Sequence, residues 1–246
     1  MKFIDLIVRS LWFYRRTHLG VIGAAGIATA VLTGALLVGD SVSGTLHQTA
    51  RDRLGDASAA LASEDNFFRA ELGDELGRQL KTDVATTIQL PGVCEHSEDS
   101  KRRTGNVNVL GVSDAFWKLA PNRPVGAAEL QDGQVALNQP LAKRLGVEPG
   151  QQMLLTVSKP SVVSPDAPLS RTSDAAITLR LDIIAIVSTE QFGRFSLRAD
   201  QAAPLNAYLP RSWLAKKLDL ADKANLLLIG EGVTRDQADQ ALTKAW

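Results

Sequence analysis

The chain has 246 residues, of which 45% are hydrophobic and 22% are charged, and its formal net charge is +0. This length suffices for one large folded domain or two small ones. Because the charge is balanced, no domain-wide basic surface is available, and we expect no nucleic-acid partner. The single cysteine, Cys94, excludes an intrachain disulfide and the zinc sites that require two or four cysteines.

An uncharged stretch follows a basic start. The first 18 residues carry four basic side chains and one acidic side chain, a net of +3, and residues 19–39 contain no charge, Asn, Gln or Pro. As a helix, those 21 residues measure about 32 Å, close to the roughly 30 Å of a bilayer's hydrocarbon core.

Because basic residues precede the stretch and Asp40 follows it, the positive-inside rule places the N-terminus in the cytoplasm. We therefore predict a cytoplasmic amphipathic segment over 1–18 and a transmembrane helix over 19–39. The helix would lie among lipids of a bacterial inner membrane.

Two other interpretations of residues 19–39 remain open. A cleaved signal peptide also begins with basic residues, but its apolar core usually has about 7 to 15 residues and ends at an Ala-x-Ala motif, which is missing here. Ser41 and Ser43 are nevertheless small enough to stand at a cleavage site. A buried core helix is the second alternative, although a stretch this long without a charge is unusual for one.

Small residues recur within the predicted span. Gly26, Ala30 and Gly34 stand four positions apart and so share one side of a helix, where another backbone can approach closely. We predict a helix-packing surface there. The alternative is that glycine and alanine are simply frequent in membrane helices.

A second pattern of four-residue spacing follows the span. Val42, Leu46, Ala50 and Leu54 alternate with polar residues, and the pattern stops at Gly55. We predict that the membrane helix continues for about 16 residues, or roughly 24 Å, as a stalk with this apolar side packed on the protein.

The remaining sequence alternates short apolar strands with amphipathic helices, which predicts an α+β fold. Predicted helices cover 66–80, 114–119, 139–145, 211–218 and 234–245. Predicted strands cover 86–90, 107–112, 134–137, 152–157, 177–187, 206–209 and 226–229. Residues 92–105 and 158–173 are predicted to be exposed loops, and Asp114 and Thr234 to be helix N-caps. Since helices cluster at both ends, we predict two lobes in residues 40–246: a mixed α/β lobe and a β-rich lobe inserted at roughly 120–200.

A search for catalytic chemistry finds one superficial match. Gly39-Asp40-Ser41 imitates the nucleophile block of Gly-Asp-Ser hydrolases, but those enzymes need a late histidine as the base. The histidines here are His18, His47 and His96, and none lies in the last 150 residues. We therefore expect no enzyme activity.

Ligand-binding motifs are equally sparse. The sequence has neither a G-x-x-x-x-G-K-[ST] phosphate loop nor G-x-G-x-x-G, so no nucleotide cofactor is predicted. Cys94, Glu95, His96, Glu98 and Asp99 form a conceivable metal cluster. Because they stand in a charged stretch with neighbouring basic residues, we interpret them as a solvated surface and predict no metal.

Three stretches of this chain resemble MacB/FtsX-like ABC transporter permeases. They are RSLWFYRRTHLGVIGAAGIATAVLTGALLVGDSVSGTL, VALNQPLAKRLGVEPGQQMLL and FGRFSLRADQAAPLNAYLPRSWLAKKL. The first resembles the opening of these permeases, the second a strand, Asn, helix, Leu-Gly, Gly-turn and strand element, and the third the segment after the inserted β-rich part. The resemblance covers nearly the whole chain and rests on the order and spacing of the motifs.

The resemblance implies a transport role. Such permeases have four membrane helices, carry a large extracytoplasmic domain between the first and the second, and work as dimers with ABC ATPase domains. It therefore implies an ATPase subunit and a second permease copy as partners, and coupling of ATP-driven helix motion to the extracytoplasmic domain. The chain stops at Trp246 without the later spans, so we expect a fragment of such a permease. The alternative is a stand-alone, membrane-anchored binding or scaffold module.

Overall fold

The computed structural model describes residues 3–63, 66–160, 176–198 and 202–245. They belong to two compact units, Met1–Ala50 and Arg51–Trp246.

The first unit is helical. Helix α1 covers Phe3–Phe13 and helix α2 covers Arg15–Leu54, so that α2 contributes its last four residues to the second unit. The Thr29 hydroxyl donates to the carbonyl of Ala25 at 2.8 Å, so its hydrogen bond is made within the helix. The single helix contains both the predicted span and its predicted continuation, and it ends directly before Gly55.

The described residues of the second unit form ten strands and five further α-helices. The strands are β1 Ala57–Ala62, β2 Phe68–Arg69, β3 Val84–His96, β4 Arg103–Val112, β5 Gln134–Asn138, β6 Gln152–Ser158, β7 Ala176–Val187, β8 Asn206–Pro210, β9 Lys223–Ala224 and β10 Leu226–Gly230. The helices are α3 Leu72–Leu80, α4 Asp114–Lys118, α5 Gln139–Leu145, α6 Arg211–Lys217 and α7 Arg235–Ala245. This mixed content confirms the predicted α+β class.

Eight of the strands form one sheet in the order β1-β10-β3-β4-β8-β5-β7-β6, and β2 pairs with β9 separately. Strand β3 pairs with β10 through Val84–Thr87 and with β6 through Gly92–His96. The second pairing closes a circuit of six strands, β3-β4-β8-β5-β7-β6, as in a barrel. Strands β4 and β8 are parallel neighbours inside this circuit.

The core follows from the alternation of side chains along these strands. On β6, Met153, Leu155 and Val157 are buried, whereas the residues between them are partly exposed. These three belong to the largest apolar cluster, which helices α5 and α6 cover with Leu141 and Leu214. A separate cluster packs α3 and α7 against β10. Burial of apolar area in these clusters is the main force that stabilises the domain.

Several predicted boundaries were wrong. The predicted helix over 66–80 begins only at Leu72, because Phe68–Arg69 pairs with β9. The predicted loop over 92–105 mostly belongs to β3 and β4, whose charged side chains face away from the core. The sequence also gave no sign of β1, since Ala57–Ala62 is rich in alanine, a weak strand former. Most of the predicted loop over 158–173 lies outside the described residues.

The predicted helix caps had mixed outcomes. Asp114 is the first residue of α4, and Ser113 occupies its N-cap position. Thr234 caps α7 as predicted, because its hydroxyl accepts from the Gln237 amide at 3.4 Å while the Gln237 side chain accepts from the Thr234 amide at 3.0 Å.

The predicted division into two lobes is not confirmed. Residues Arg51–Trp246 form one compact unit. Strands β5, β6 and β7 lie within the predicted insertion at 120–200. Of these, β6 pairs with β3 and β5 pairs with β8, and both partners lie outside that range. Strand β3 pairs with β10 and β4 and also with β6. The circuit of six strands therefore combines strands from inside and outside the predicted insertion.

Candidate functional site: an apolar helix and the segment after it

The apolar part of α2 has no protein cover among the described residues. Its large hydrophobic side chains between positions 19 and 38 are between 63% and 74% exposed. Length and composition make this helix able to cross a membrane, although a signal sequence would also meet those two criteria. Exposed apolar side chains on a helix whose backbone is internally hydrogen-bonded match a lipid environment.

The predicted helix-packing residues lie on this open surface. A side-chain carbon placed on Gly26 or Gly34 would meet no atom within 4 Å. Ala30 is exposed as well. The space beside these three residues is therefore open to another helix, and the packing surface stays a prediction.

The predicted stalk-packing residues have different surroundings. Val42 and Leu46 are 51% and 48% exposed, and the side chain of Ala50 lies outside the described part of the chain. Leu54 is partly buried and packs against an apolar cluster of the second unit that includes Phe116. Packing is thus seen at Leu54, and for the other three residues it stays a prediction.

The last turn of α2 is attached to the domain through Arg53. This side chain is only 2% exposed. Its Nη1 donates to the carbonyl of Arg198 and its Nη2 to the carbonyl of Ala202, both at 3.1 Å. Charged donors make stronger hydrogen bonds than neutral ones, and removing such a buried donor leaves carbonyls without partners. The sequence contains no signal for the burial of Arg53, because an arginine among polar helix residues is usually solvent-exposed.

Gly55 ends α2 in a confined position. Its φ of +56° lies in the left-handed region that glycine adopts without strain. A side-chain carbon there would lie 2.6 Å from the carbonyl oxygen of Leu119 and 2.9 Å from Cε2 of Phe192. The next amide, that of Asp56, donates to the same Leu119 carbonyl at 3.0 Å. We call Arg53–Asp56 the junction segment. Its contacts hold the end of the helix against the domain.

The surface that receives the junction segment is itself held by buried polar side chains. Asn138 Nδ2 donates to the carbonyl of Gly193 at 2.7 Å, Asn206 Nδ2 to that of Phe195 at 2.9 Å, and Tyr208 Oη to that of Phe192 at 2.8 Å. All three donors are completely buried, and burial raises the pKa of the Tyr208 hydroxyl above its ordinary value. Buried hydrogen bonds of this kind fix the backbone of residues 192–195, because a lost partner costs about 1–3 kcal/mol.

Aromatic packing adds to this support. The rings of Phe116 and Phe192 have centroids 5.0 Å apart, and Phe195 meets Phe116 edge-on at 5.3 Å. Such pairs stabilise by about 0.5–1.5 kcal/mol beyond the area that they bury. The junction segment therefore contacts a part of the domain that buried hydrogen bonds and aromatic packing both support.

The residues considered for catalysis and metal binding are not brought together. Cys94 points into the core of the strand circuit, where burial raises the pKa of its thiol to about 12. His96 accepts from the amide of Glu98 at 3.1 Å through Nδ1. Gly39-Asp40-Ser41 lies within α2. In the described parts of the chain, no group of three or more His, Cys, Asp or Glu side chains could hold a metal ion.

Known proteins that match this chain include two solved structures. No protein-family model and no curated protein matches the chain. It is similar to the periplasmic region of MacB from Actinobacillus actinomycetemcomitans, with 12% identity, a TM-score of 0.49, and coverage of 81% of this chain and 86% of that chain. It is also similar to the extracellular domain of the noncanonic ABC-type transporter YknZ from Gram-positive bacteria, with 11% identity, a TM-score of 0.41, and coverage of 74% and 88%.

Proposed function

We propose that this chain is the N-terminal part of a membrane permease of the MacB/FtsX type. It would supply the first transmembrane helix and the extracytoplasmic domain. Its partners would be an ABC ATPase subunit, a second permease copy and membrane lipid. Its role would be to couple ATP-driven helix motion to the domain during export or the handling of lipoproteins or lipids. This role requires no catalytic site in the chain itself.

The observation that carries the proposal is the continuity of α2. The helix runs without a break from the exposed apolar span to Leu54, which packs in the second unit, and Arg53 fastens the same turn to backbone carbonyls. In this proposal, a displacement of the apolar part of α2 would reach the domain through these contacts. The sequence resemblance implies that an ATPase acting on the permease causes the displacement.

The proposed topology is tested by a reporter fused after Trp246. Alkaline phosphatase folds only outside the cytoplasm, so the fusion should be active, while a cytoplasmic reporter at the same position should be silent. The purified protein should also retain its N-terminal residues. Activity of the cytoplasmic reporter alone would reverse the orientation, and loss of the first 40 or so residues would establish a signal peptide.

The proposed assembly surface is tested in the full-length homologous permease with its ATPase. Gly34→Leu should weaken helix association, since a four-carbon side chain holds the backbones apart and removes their dispersion contacts. Ala28→Leu also introduces a leucine side chain, but about 200° around the helix from Gly26, on a different side. It therefore serves as the matched control. Crosslinked dimer is the measurement. If Gly34→Leu gives as much dimer as Ala28→Leu, the small residues reflect composition only.

The coupling itself is tested by Leu46→Asp and by Arg53→Gln in the same system. Both should leave assembly and ATP hydrolysis intact while transport falls at least about tenfold, because the end of α2 would no longer move the domain. Arg51→Gln is the control, since Arg51 is exposed and lies two positions away. Transport at the Arg51→Gln level in the Arg53→Gln variant would contradict the coupling role of the junction segment.

A further inference from the structure

A cavity outside the junction segment lies at the carboxyl ends of two parallel strands. Strands β4 and β8 are parallel neighbours whose last residues, Val112 and Pro210, pair with each other. Each strand leads almost directly into a helix, α4 or α6, and the cavity of about 220 Å³ opens between these ends. In α/β sheets, the space beyond the carboxyl ends of adjacent parallel strands is the usual position for a ligand.

Apolar and polar residues both line this cavity. Its apolar lining includes Trp117, Ala127 and Leu130, together with Val112 and Pro210 at the strand ends. Its volume is below the range of about 300–1,000 Å³ that holds drug-sized molecules. The cavity therefore suits a ligand about the size of one amino acid with an apolar body.

Arg211 also lines this cavity, and among the described residues no salt bridge pairs its positive charge. Its side chain lines the cavity, and its buried Nε has no hydrogen-bond partner within the described ranges. Buried donors without an acceptor are rare, because each costs about 1–3 kcal/mol. A guanidinium presents its donors as a planar fork that matches a carboxylate, which makes the Arg211 side chain of the lining suited to bind one.

The other polar groups of the cavity agree with an anion of single charge. Asp114 is the acidic residue of the lining, and Arg123 binds its carboxylate in an ion pair. Arg211 thus remains as net positive charge. The hydroxyls of Ser113 and Ser212 stand on the same lining and can donate to the second oxygen of a carboxylate.

We propose that this cavity binds a small organic carboxylate with a short apolar body, with Arg211 as the residue that recognises the carboxylate. The apolar body would pack against Trp117 and Leu130. Such a molecule resembles a single apolar amino acid whose amino group is blocked or a short apolar acid. The site would give the domain a ligand of its own, independent of its attachment to α2.

The test uses the full chain in lipid nanodiscs and two probes of the same shape. N-acetyl-L-leucine carries the carboxylate, and N-acetyl-L-leucinamide replaces it by a neutral amide. Binding is followed by ligand-observed NMR titration against empty nanodiscs. We expect the acid to bind at least about tenfold more tightly than the amide. Equal affinities in the wild-type chain would overturn the proposal.

Variants then locate the charge that makes the difference. Arg211→Gln should remove the preference for the acid, whereas Arg144→Gln, an exposed arginine on α5, loses the same charge and should retain the preference. Ser212→Glu changes an exposed position, so it should fold normally while a new negative charge repels the acid and spares the amide. Thermal unfolding checks each variant. If Ser212→Glu, folded, binds the acid within about twofold of wild type, the carboxylate does not bind here.

Discussion

Leucine side chains have opposite surroundings in the two units. In α2, Leu32 and Leu36 are 66% and 74% exposed, whereas Leu76, Leu110 and Leu141 of the second unit are completely buried. The residue type is the same, so the difference lies in what covers it. Protein covers the leucines of the domain, and a lipid bilayer is the cover that suits α2. A substitution should therefore have different effects in the two units.

The largest expected effect comes from a matched pair of truncations. Leu110→Ala should lower the free energy of unfolding of the domain by about 2–5 kcal/mol, because it removes buried methyl groups and leaves a cavity. Leu32→Ala makes the same change on an exposed helix surface and should leave domain unfolding unchanged. Urea unfolding of the full chain in detergent micelles, followed by circular dichroism, measures both. Equal losses in the two variants would remove the distinction between the units.

The reverse experiment places a charge in the helix. Leu32→Arg near the middle of the span should oppose membrane insertion by about 2.5–3.5 kcal/mol on insertion scales. Leu32→Ile is the control, since it keeps the side chain apolar. Alkaline extraction of membranes separates inserted from peripheral chain. If both variants remain equally in the membrane fraction, the span tolerates a charge and the proposed lipid contact at Leu32 is wrong.

A smaller effect is expected at the residue that follows α2. Gly55→Ala should destabilise the domain by about 2 kcal/mol or more, because the left-handed conformation and a backbone oxygen at 2.6 Å both oppose the added methyl group. Gly146 has a similar φ of +64°, but its nearest neighbour is the flexible end of Arg102. Gly146→Ala should thus cost only about 1 kcal/mol. Thermal unfolding midpoints rank the two variants, and a larger loss at Gly146 would contradict the confinement of Gly55.

An effect limited to alkaline pH concerns the buried thiol of Cys94. Burial raises the pKa of the Cys94 thiol from 9.0 to about 12, so the folded domain keeps a proton that the unfolded chain loses. The thiol has no effect on stability below about pH 9. Between about pH 9 and 12 it should lower the free energy of unfolding by up to about 1.4 kcal/mol per pH unit.

Cys94→Ala isolates this contribution. The raised pKa of Tyr208 acts in the same direction in both proteins, so only the difference between their pH slopes reports on the thiol. We expect a shallower slope for Cys94→Ala in urea unfolding measured from pH 8 to 11. Identical slopes would show that the Cys94 thiol is as accessible in the folded protein as in the unfolded chain.

Much of the local structure was predictable from sequence. The helix over 139–145 was predicted with its observed bounds. In the structure Asn138 caps its start and Gly146 ends it in the left-handed conformation. The strand over 177–187 differs from β7 by one residue. Such elements carry local signals, namely caps, turns and side-chain alternation. Strand β1 carries none, and it forms because β10 offers it a pairing partner.

The candidate sites divide in the same way. The apolar span could be read from composition, because an uncharged stretch of 21 residues has few alternatives. Arg53 and Arg211 could not be found, since nothing adjacent in sequence distinguishes them from other arginines. Arg53 is buried by contacts with the carbonyls of residues 198 and 202, about 145 positions later. Burial through distant segments depends on the fold.

The sequence by itself determined that this protein has a long apolar helix with a basic start and an α+β domain after it. Those features depend on interactions between near neighbours in the chain, whose spacing is visible in the sequence. Only the tertiary structure decided that β3 joins all eight strands into one sheet, that α2 ends on a firmly packed surface, and that Arg211 lines a cavity. Strand pairing and burial bring together residues more than 100 positions apart, and one sequence contains no local signal for them.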